Sequence, residues 1–146
     1  MTDIIFDVDG TLMNMNHRRH YLEGKKKDWE SFRQKMVDDT PNEHVVMMAK
    51  MLKDAGHRII ISTGRLESDK DLTLDQIGKA GVRYDLACFR DLDQRYMPDF
   101  VVKEMMLSDM MMMGYNPTIA FDDRDSVVEM WRTNGLHVFQ VDKGDF

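Results

Sequence analysis

Apolar positions fall in short blocks separated by polar turns, and the blocks alternate between two kinds. Residues 4–6 are a brief apolar run that meets Asp7 and Asp9, followed by Gly10 and Thr11. Residues 28–38 place Trp29, Phe32, Met36 and Val37 at helical spacing. The next stretch reads as a helix start, with Thr40 as cap, Pro41 in the first helical position and Glu43 completing a capping box. That helix runs through Val45, Val46, Met48, Met51 and Leu52 to Ala55, where Gly56 stops it. Residues 57–62 are a continuous, β-branched apolar run, the pattern of a strand buried on both faces, and they lead into Thr63-Gly64-Arg65. A helix is predicted over 68–80 with Gly81 behind it, then a strand over 84–89 and a loop over 90–97. Asp99 opens an amphipathic helix through Val101, Val102, Met105, Met106 and Met110 to Gly114. Its Met110–Met113 run reads as core filling, because Met adapts to irregular gaps. Residues 118–121 form a fourth strand ending in Asp122-Asp123, residues 125–134 a helix, and residues 136–141 a fifth strand.

Strands alternating with helices, and strands that are apolar almost throughout, call for an α/β fold. The expected architecture is a Rossmann-like parallel sheet of about five strands with helices on both faces, in one domain spanning 1–146. In such sheets functional groups gather beyond the carboxyl ends of the strands. The chain obeys that rule: Asp7 and Asp9, Thr63 and Arg65, and Asp122 and Asp123 all follow strands, and Lys103 lies in the first turns of a helix.

Composition narrows the chemistry. With 42% hydrophobic and 32% charged residues the chain is an ordinary globular one, and no apolar run reaches the roughly 20 residues of a bilayer span. The N-terminus opens into the first strand without a basic-then-apolar leader, so a cytoplasmic location is expected (the host cytoplasm for a phage-encoded protein). A single cysteine, Cys88, excludes an internal disulfide and a cysteine-rich zinc site. The net charge of −6 is uneven: residues 17–27 hold five Lys or Arg against one acid, a local +4 that leaves −10 elsewhere. Such a basic segment either attracts a polyanion or is a solvated loop.

Several carboxylates converging without His or Cys make a hard oxygen site, which selects Mg²⁺ alongside a substrate phosphate. Asp7, ending the buried strand, is the expected nucleophile, and Asp9 the acid that protonates the leaving oxygen and then activates water. Thr63 offers a hydroxyl and Lys103 a point charge to phosphate oxygens. The Gly10-Thr11 turn is expected to present backbone N–H groups to the anion. No Gly-x-x-x-x-Gly-Lys-Ser/Thr loop is present, which excludes a nucleoside-triphosphate kinase of that type.

Asp7-Val8-Asp9-Gly10-Thr11, Thr63, Lys103 and Asp122-Asp123 together resemble the haloacid dehalogenase-like phosphohydrolases. That resemblance implies Asp7 as nucleophile and Asp9 as acid/base. It also implies Mg²⁺ held by Asp7, the Asp9 carbonyl and one of Asp122 and Asp123, with Asp123 preferred. Over essentially the whole chain, and most strongly at IIFDVDGTL, DFVVKE and IAFDDRDSVVEMWR through the final GDF, the sequence is similar to the 3′-phosphatase domain of phage polynucleotide kinase–phosphatase. By that similarity Arg18, Gly64, Arg65 and Asp99 engage phosphate, orient the lysine or hold the polynucleotide end. Thr63 stands where that domain has serine, keeping the hydroxyl. The kinase half has no counterpart here, so the expected role is trimming of 3′-phosphate from DNA or RNA ends without 5′ phosphorylation, beside a separate kinase or ligase. Only about fifty residues separate the first motif from the second strand, too few for a large cap, and an open site suits a polynucleotide end. A phosphatase for free nucleotides or another small phosphate ester is the alternative. A phospho-receiver module is a third reading, disfavoured because it needs no acid two residues after its aspartate.

Overall fold

The computed structural model describes residues 1–146. In chain order the elements are β1 (Asp3–Phe6), β2 (Met13–Asn14), a 3₁₀ helix (Asn16–Leu22), α1 (Trp29–Gln34), a 3₁₀ turn (Lys35–Asp38), β3 (Thr40–Pro41), α2 (Glu43–Asp54) and β4 (Arg58–Leu66). Then come α3 (Lys70–Lys79), β5 (Leu86–Arg90), α4 (Asp99–Met112), β6 (Pro117–Asp122), α5 (Asp125–Thr133) and β7 (His137–Gln140). Five strands make one parallel sheet in the order β5-β4-β1-β6-β7. β2 and β3 form a separate antiparallel pair, Met13 opposite Pro41 and Asn14 opposite Thr40.

Alternation along the strands explains the layers. Ile5 and Ile60 pack with Val102 and Met106 of α4 and Val128 and Trp131 of α5. Their neighbours Ile4, Ile59 and Ile61 point the other way, onto Val46 and Ala49 of α2 and Ile77 of α3. Both sheet faces are therefore covered, which is why β1 and β4 carry no polar alternation. Phe6, Phe121 and Phe139 stand in register on β1, β6 and β7, and their rings stack at centroid separations of 4.5 and 5.1 Å. This ladder sets the carboxyl ends of β1 and β6 level, one residue before Asp7 and Asp122. Apart from β2 and β3, the segment between the first motif and α2 holds only the short helical pieces from Asn16 to Asp38, so the fold has a minimal cap. No helix is long and apolar enough to cross a membrane.

Four local expectations need correction. Thr40 and Pro41 do not open α2; they pair with β2, and Asn42 stands at the N-cap position with no side-chain cap. Tertiary pairing outweighs the local capping signal there. In 28–38 the apolar spacing does not make one buried stripe: only Met36 is buried, while Trp29 and Val37 are more than half exposed. In the Met run, Met110 is buried but Met111, Met112 and Met113 face solvent, because the core side of α4 is set by Val102, Met106 and Met110 at helical period. The basic stretch 17–27 is neither a uniform solvated loop nor a uniform surface: Lys25, Lys26 and Lys27 are exposed, whereas Arg18 is wholly buried.

Candidate active site

The end of β1 delivers Asp7 to a crowded centre. Its N–H donates to the Phe121 carbonyl on β6 at 3.0 Å, and its side chain is nearly buried. Oδ1 accepts from Lys103 Nζ at 2.8 Å and Oδ2 from the Thr11 hydroxyl at 2.9 Å. Burial, then the charges of Asp122 and Asp123, push the Asp7 carboxyl well above the usual carboxylate range, against the pull of Lys103. Burial acts to lower Lys103, but Asp122, Asp7 and Asp99 outweigh it and raise the lysine, which stays charged. Lys103 sits one turn into α4, which also brings its Nζ to 3.0 Å from Asp122 Oδ2 and 3.9 Å from Asp99 Oδ2.

Asp9 lies in a different environment. Its Oδ1 accepts from Arg18 (2.7 Å) and from Arg65 Nε and Nη2 (3.0 and 2.7 Å), while Oδ2 has no partner within the chain and the side chain is 24% exposed. Burial acts to raise Asp9, but Arg65 and Arg18 outweigh it and hold the carboxyl below its usual range. Both arginines are gripped from behind by Asp39. Asp39 Oδ1 takes Arg18 Nε at 2.8 Å and His17 Nε2 at 2.7 Å, and Oδ2 takes Arg18 Nη2 at 2.6 Å and Arg65 Nη2 at 2.9 Å. Arg65 also donates to Thr73 and Gln76 of α3, and Arg18 lies over the Phe32 ring. Arg18 and Arg65, expected on the substrate side, thus direct their donors inward, onto Asp9 and Asp39.

Thr63, on the carboxyl half of β4, is buried; its oxygen accepts from the Arg65 N–H at 3.1 Å, leaving the hydroxyl proton free. Gly64 lets the Asp99 carboxylate approach so closely that a Cβ there would collide with it. Asp99 Oδ1 accepts from Arg90 at 3.0 Å, and Arg90 also ties the carbonyls of Gly64, Gln94 and Met97 together. The Gly10 and Thr11 N–H groups do not face outward as expected: they close the turn, donating to the Met13 and Val8 carbonyls at 2.8 and 3.1 Å.

The acidic pair divides its work. Asp122 has both oxygens engaged, Oδ1 by the Asp123 and Arg124 N–H groups and Oδ2 by Lys103 and Trp131 Nε1. Asp123 is buried too, yet its Oδ2 has no hydrogen-bond partner. Gly10 makes room for that carboxylate with φ +79°, and a Cβ there would strike it. Burial and the neighbouring Asp122 push the Asp123 carboxyl up to about 6. Ligand oxygens of Asp7, Asp122 and Asp123 lie within 4.8 Å of one another. An orphaned carboxylate oxygen in an all-oxygen donor set fits a hard divalent cation.

Comparison with known proteins places this geometry. The family model for the phosphatase domain of the polynucleotide kinase PNKP matches residues 1–146. The chain belongs to the PNKP phosphatase-domain family. As a member it is a phosphatase, a phosphoric monoester hydrolase. Among solved structures, a Pnkp1/Rnl/Hen1 complex contains a chain 32% identical, covering 99% of this chain and 47% of that one with a TM-score of 0.84. The Pnkp1/Rnl/Hen1 RNA repair complex gives 31% identity over 100% of this chain and 44% of that one, with a TM-score of 0.83. This PNKP-type phosphatase domain thus spans about half the length of those relatives. A haloacid dehalogenase-like family hydrolase from Streptococcus pneumoniae, at 13% identity, covers 96% of this chain and 84% of its own with a TM-score of 0.66, and so shares the fold.

Four residues at or behind this centre escape a reading of the sequence. Thr11 stood in the first motif, but only its backbone invited attention. Trp131 looked like one more apolar residue of α5, and Arg90 like a loop residue. Asp39 had no local signal, since its role depends on the β2–β3 pair that folds it against Arg18.

Proposed function

We propose that the chain removes the terminal 3′-phosphate from DNA or RNA ends through a phosphoryl-enzyme on Asp7, with Mg²⁺ as cofactor, in nucleic-acid end repair. The observation that carries the chemistry is the contrast between two aspartates two residues apart. Asp7 is buried and fixed on both oxygens, and Asp9 is clamped on one oxygen and open on the other. The 3′-end and the RNA or DNA substrate rest on family membership and on the similarity to an RNA repair complex, which also supports a separate kinase or ligase working beside this chain.

Asp7, Asp123 and Asp122, with the Asp9 carbonyl, are the groups that would hold Mg²⁺. When bound, the ion neutralises phosphate charge and eases the approach of an anionic nucleophile. One carboxylate oxygen of Asp7 attacks phosphorus, and the bond from phosphorus to the 3′ oxygen breaks. Lys103 and the Thr63 hydroxyl bind the phosphoryl oxygens, and Thr11 and Lys103 hold Asp7 in line. Asp9 gives a proton from Oδ2 to the departing 3′ oxygen. Two guanidiniums disfavour that proton in the free protein; the arriving phosphate dianion adds opposing charge and restores it. Asp9 then takes a proton from water, whose oxygen attacks phosphorus and releases phosphate and Asp7.

Phosphate release from 3′-phosphorylated, 5′-phosphorylated and mononucleotide substrates in Mg²⁺ tests the reading, with the 3′-phosphorylated oligonucleotide expected to be preferred. Preference for either other substrate overturns it. Asp7→Asn should abolish release, and near-normal turnover by that variant would remove Asp7 as nucleophile.

A further inference from the structure

Arg18 and Arg19 are adjacent in sequence but stand in different places at the acidic centre. Arg18 is wholly buried with its donors engaged by Asp9, Asp39 and the Phe32 carbonyl. Arg65 and Arg90 are likewise buried and satisfied internally. The Arg19 side chain makes no hydrogen bond within the chain: its Nε is buried without a partner, and its one ion pair is a long contact of 3.6 Å between Nη2 and Asp123 Oδ2. The Arg19 side chain is 31% exposed, whereas Lys103 and Thr63 are at 1%. Arg19 is therefore the more solvent-accessible cation beside the acidic centre, where Lys103 and Thr63 are buried.

Its position is prepared by the tail. The Arg19 guanidinium lies over the Phe146 ring at 4.8 Å, and Arg124 lies over the same ring at 5.2 Å while its Nε donates to the Phe146 carbonyl. The tail is anchored where the Asp125 N–H donates to the Gly144 carbonyl at 2.8 Å, and Gly144 lies so near the backbone of Asp123 and Arg124 that no Cβ fits. A part-exposed guanidinium seated over a ring, with no hydrogen bond to the chain, keeps its donors available for a phosphate oxygen pair.

We propose that Arg19, seated on Phe146, binds the internucleotide phosphate next to the terminal one and so selects polynucleotides over mononucleotides. This rests on the polynucleotide reading above. Lys103 and Thr63 attend to the terminal phosphate; a strand supplies a second phosphate for Arg19, which a nucleoside 3′-monophosphate lacks.

The test compares kcat/KM for a single-stranded 3′-phosphorylated oligonucleotide and a nucleoside 3′-monophosphate across a salt series. Arg19→Ala should lower the oligonucleotide value about tenfold more than the mononucleotide value, through KM, as loss of one charge-assisted contact implies. Its slope of log(kcat/KM) against log salt should shrink by about 0.7 on the oligonucleotide. Phe146→Ala keeps the charge, so it should retain the slope while losing part of the oligonucleotide preference. Equal losses on both substrates, as expected of a mere counter-charge for Asp123, or an unchanged salt slope in Arg19→Ala, would overturn the assignment. A wild-type enzyme indifferent between the substrates overturns the polynucleotide reading itself, and Arg19 with it. That result is distinct from a selective wild type whose selectivity Arg19→Ala leaves intact.

Discussion

Asp123 sets a stability cost against its proposed role as a metal ligand within a single side chain. Its carboxyl is buried, its Oδ2 has no partner, and its pKa is raised to about 6. An acid whose pKa is higher folded than unfolded destabilises the fold as pH rises. The cost is absent below the unfolded value near 4, grows through the interval to 6, and is complete above it. Asp123→Asn keeps the shape and removes the charge. In EDTA at neutral pH it should melt higher than the wild type, with the advantage vanishing near pH 4. It should also lose turnover and the rise in Tm expected of the wild type in Mg²⁺. A variant that melts lower at neutral pH, or keeps its Mg²⁺ response, would show that Asp123 is satisfied some other way.

Between elements, the decisive contact is the pairing of β3 with β2. It sets Asp39 behind the two arginines that clamp Asp9. Asp39→Asn leaves both guanidiniums to act on Asp9 alone, so Asp9 holds its proton less well. Turnover of a 3′-phosphorylated substrate, whose alkoxide leaving group needs that proton, should fall about tenfold or more. A p-nitrophenyl ester, whose leaving group needs none, should suffer less; equal losses would make Asp39 a merely structural residue. This is also where the sequence stops being legible. Asp7, Lys103 and Asp123 are visible because each ends a strand or opens a helix, so their position follows from the period of the surrounding apolar residues. Asp39 lies in a stretch whose strongest local signal, a capped helix start at Thr40-Pro41, is overridden by pairing with a strand 27 residues upstream. Arg18 and Arg65 were legible as arginines close to the acidic motifs. That both turn inward was not, because direction depends on the partner waiting behind them.

Across the whole molecule, the two ends of the sheet carry opposite kinds of charge chemistry. At the amino ends, Arg58 grips Asp3 through two hydrogen bonds of 2.6 and 2.7 Å, and the Asn116 N–H completes the carboxylate. The Arg58 bond chiefly holds Asp3 below its usual range. At the carboxyl ends, carboxylates crowd together and one oxygen goes without a partner. Arg58→Met should accordingly lower Tm, because the Asp3 carboxylate keeps the Asn116 N–H but loses its charged partner, and leave kcat/KM within twofold of the wild type. A comparable loss of catalytic efficiency would mean that the two ends are coupled through the sheet. The parallel sheet itself was readable from alternating apolar blocks, and its five strands appear where those blocks lie. The strand order was not, since β1 between β4 and β6 follows from how helices share the two faces.

That central place of β1 leaves Asp7, the proposed nucleophile, dependent on neighbours that come much later in the chain. Lys103 lies 96 residues downstream of Asp7, and Asp122 later still. At about 5–20 residues per second, the opening strand waits several seconds or more on the ribosome for its counter-charge and its neighbour β6. Through that interval Asp7 is an ordinary hydrated carboxylate. The partners that surround Asp7 in the folded chain are in place only once β6 and α4 have joined β1.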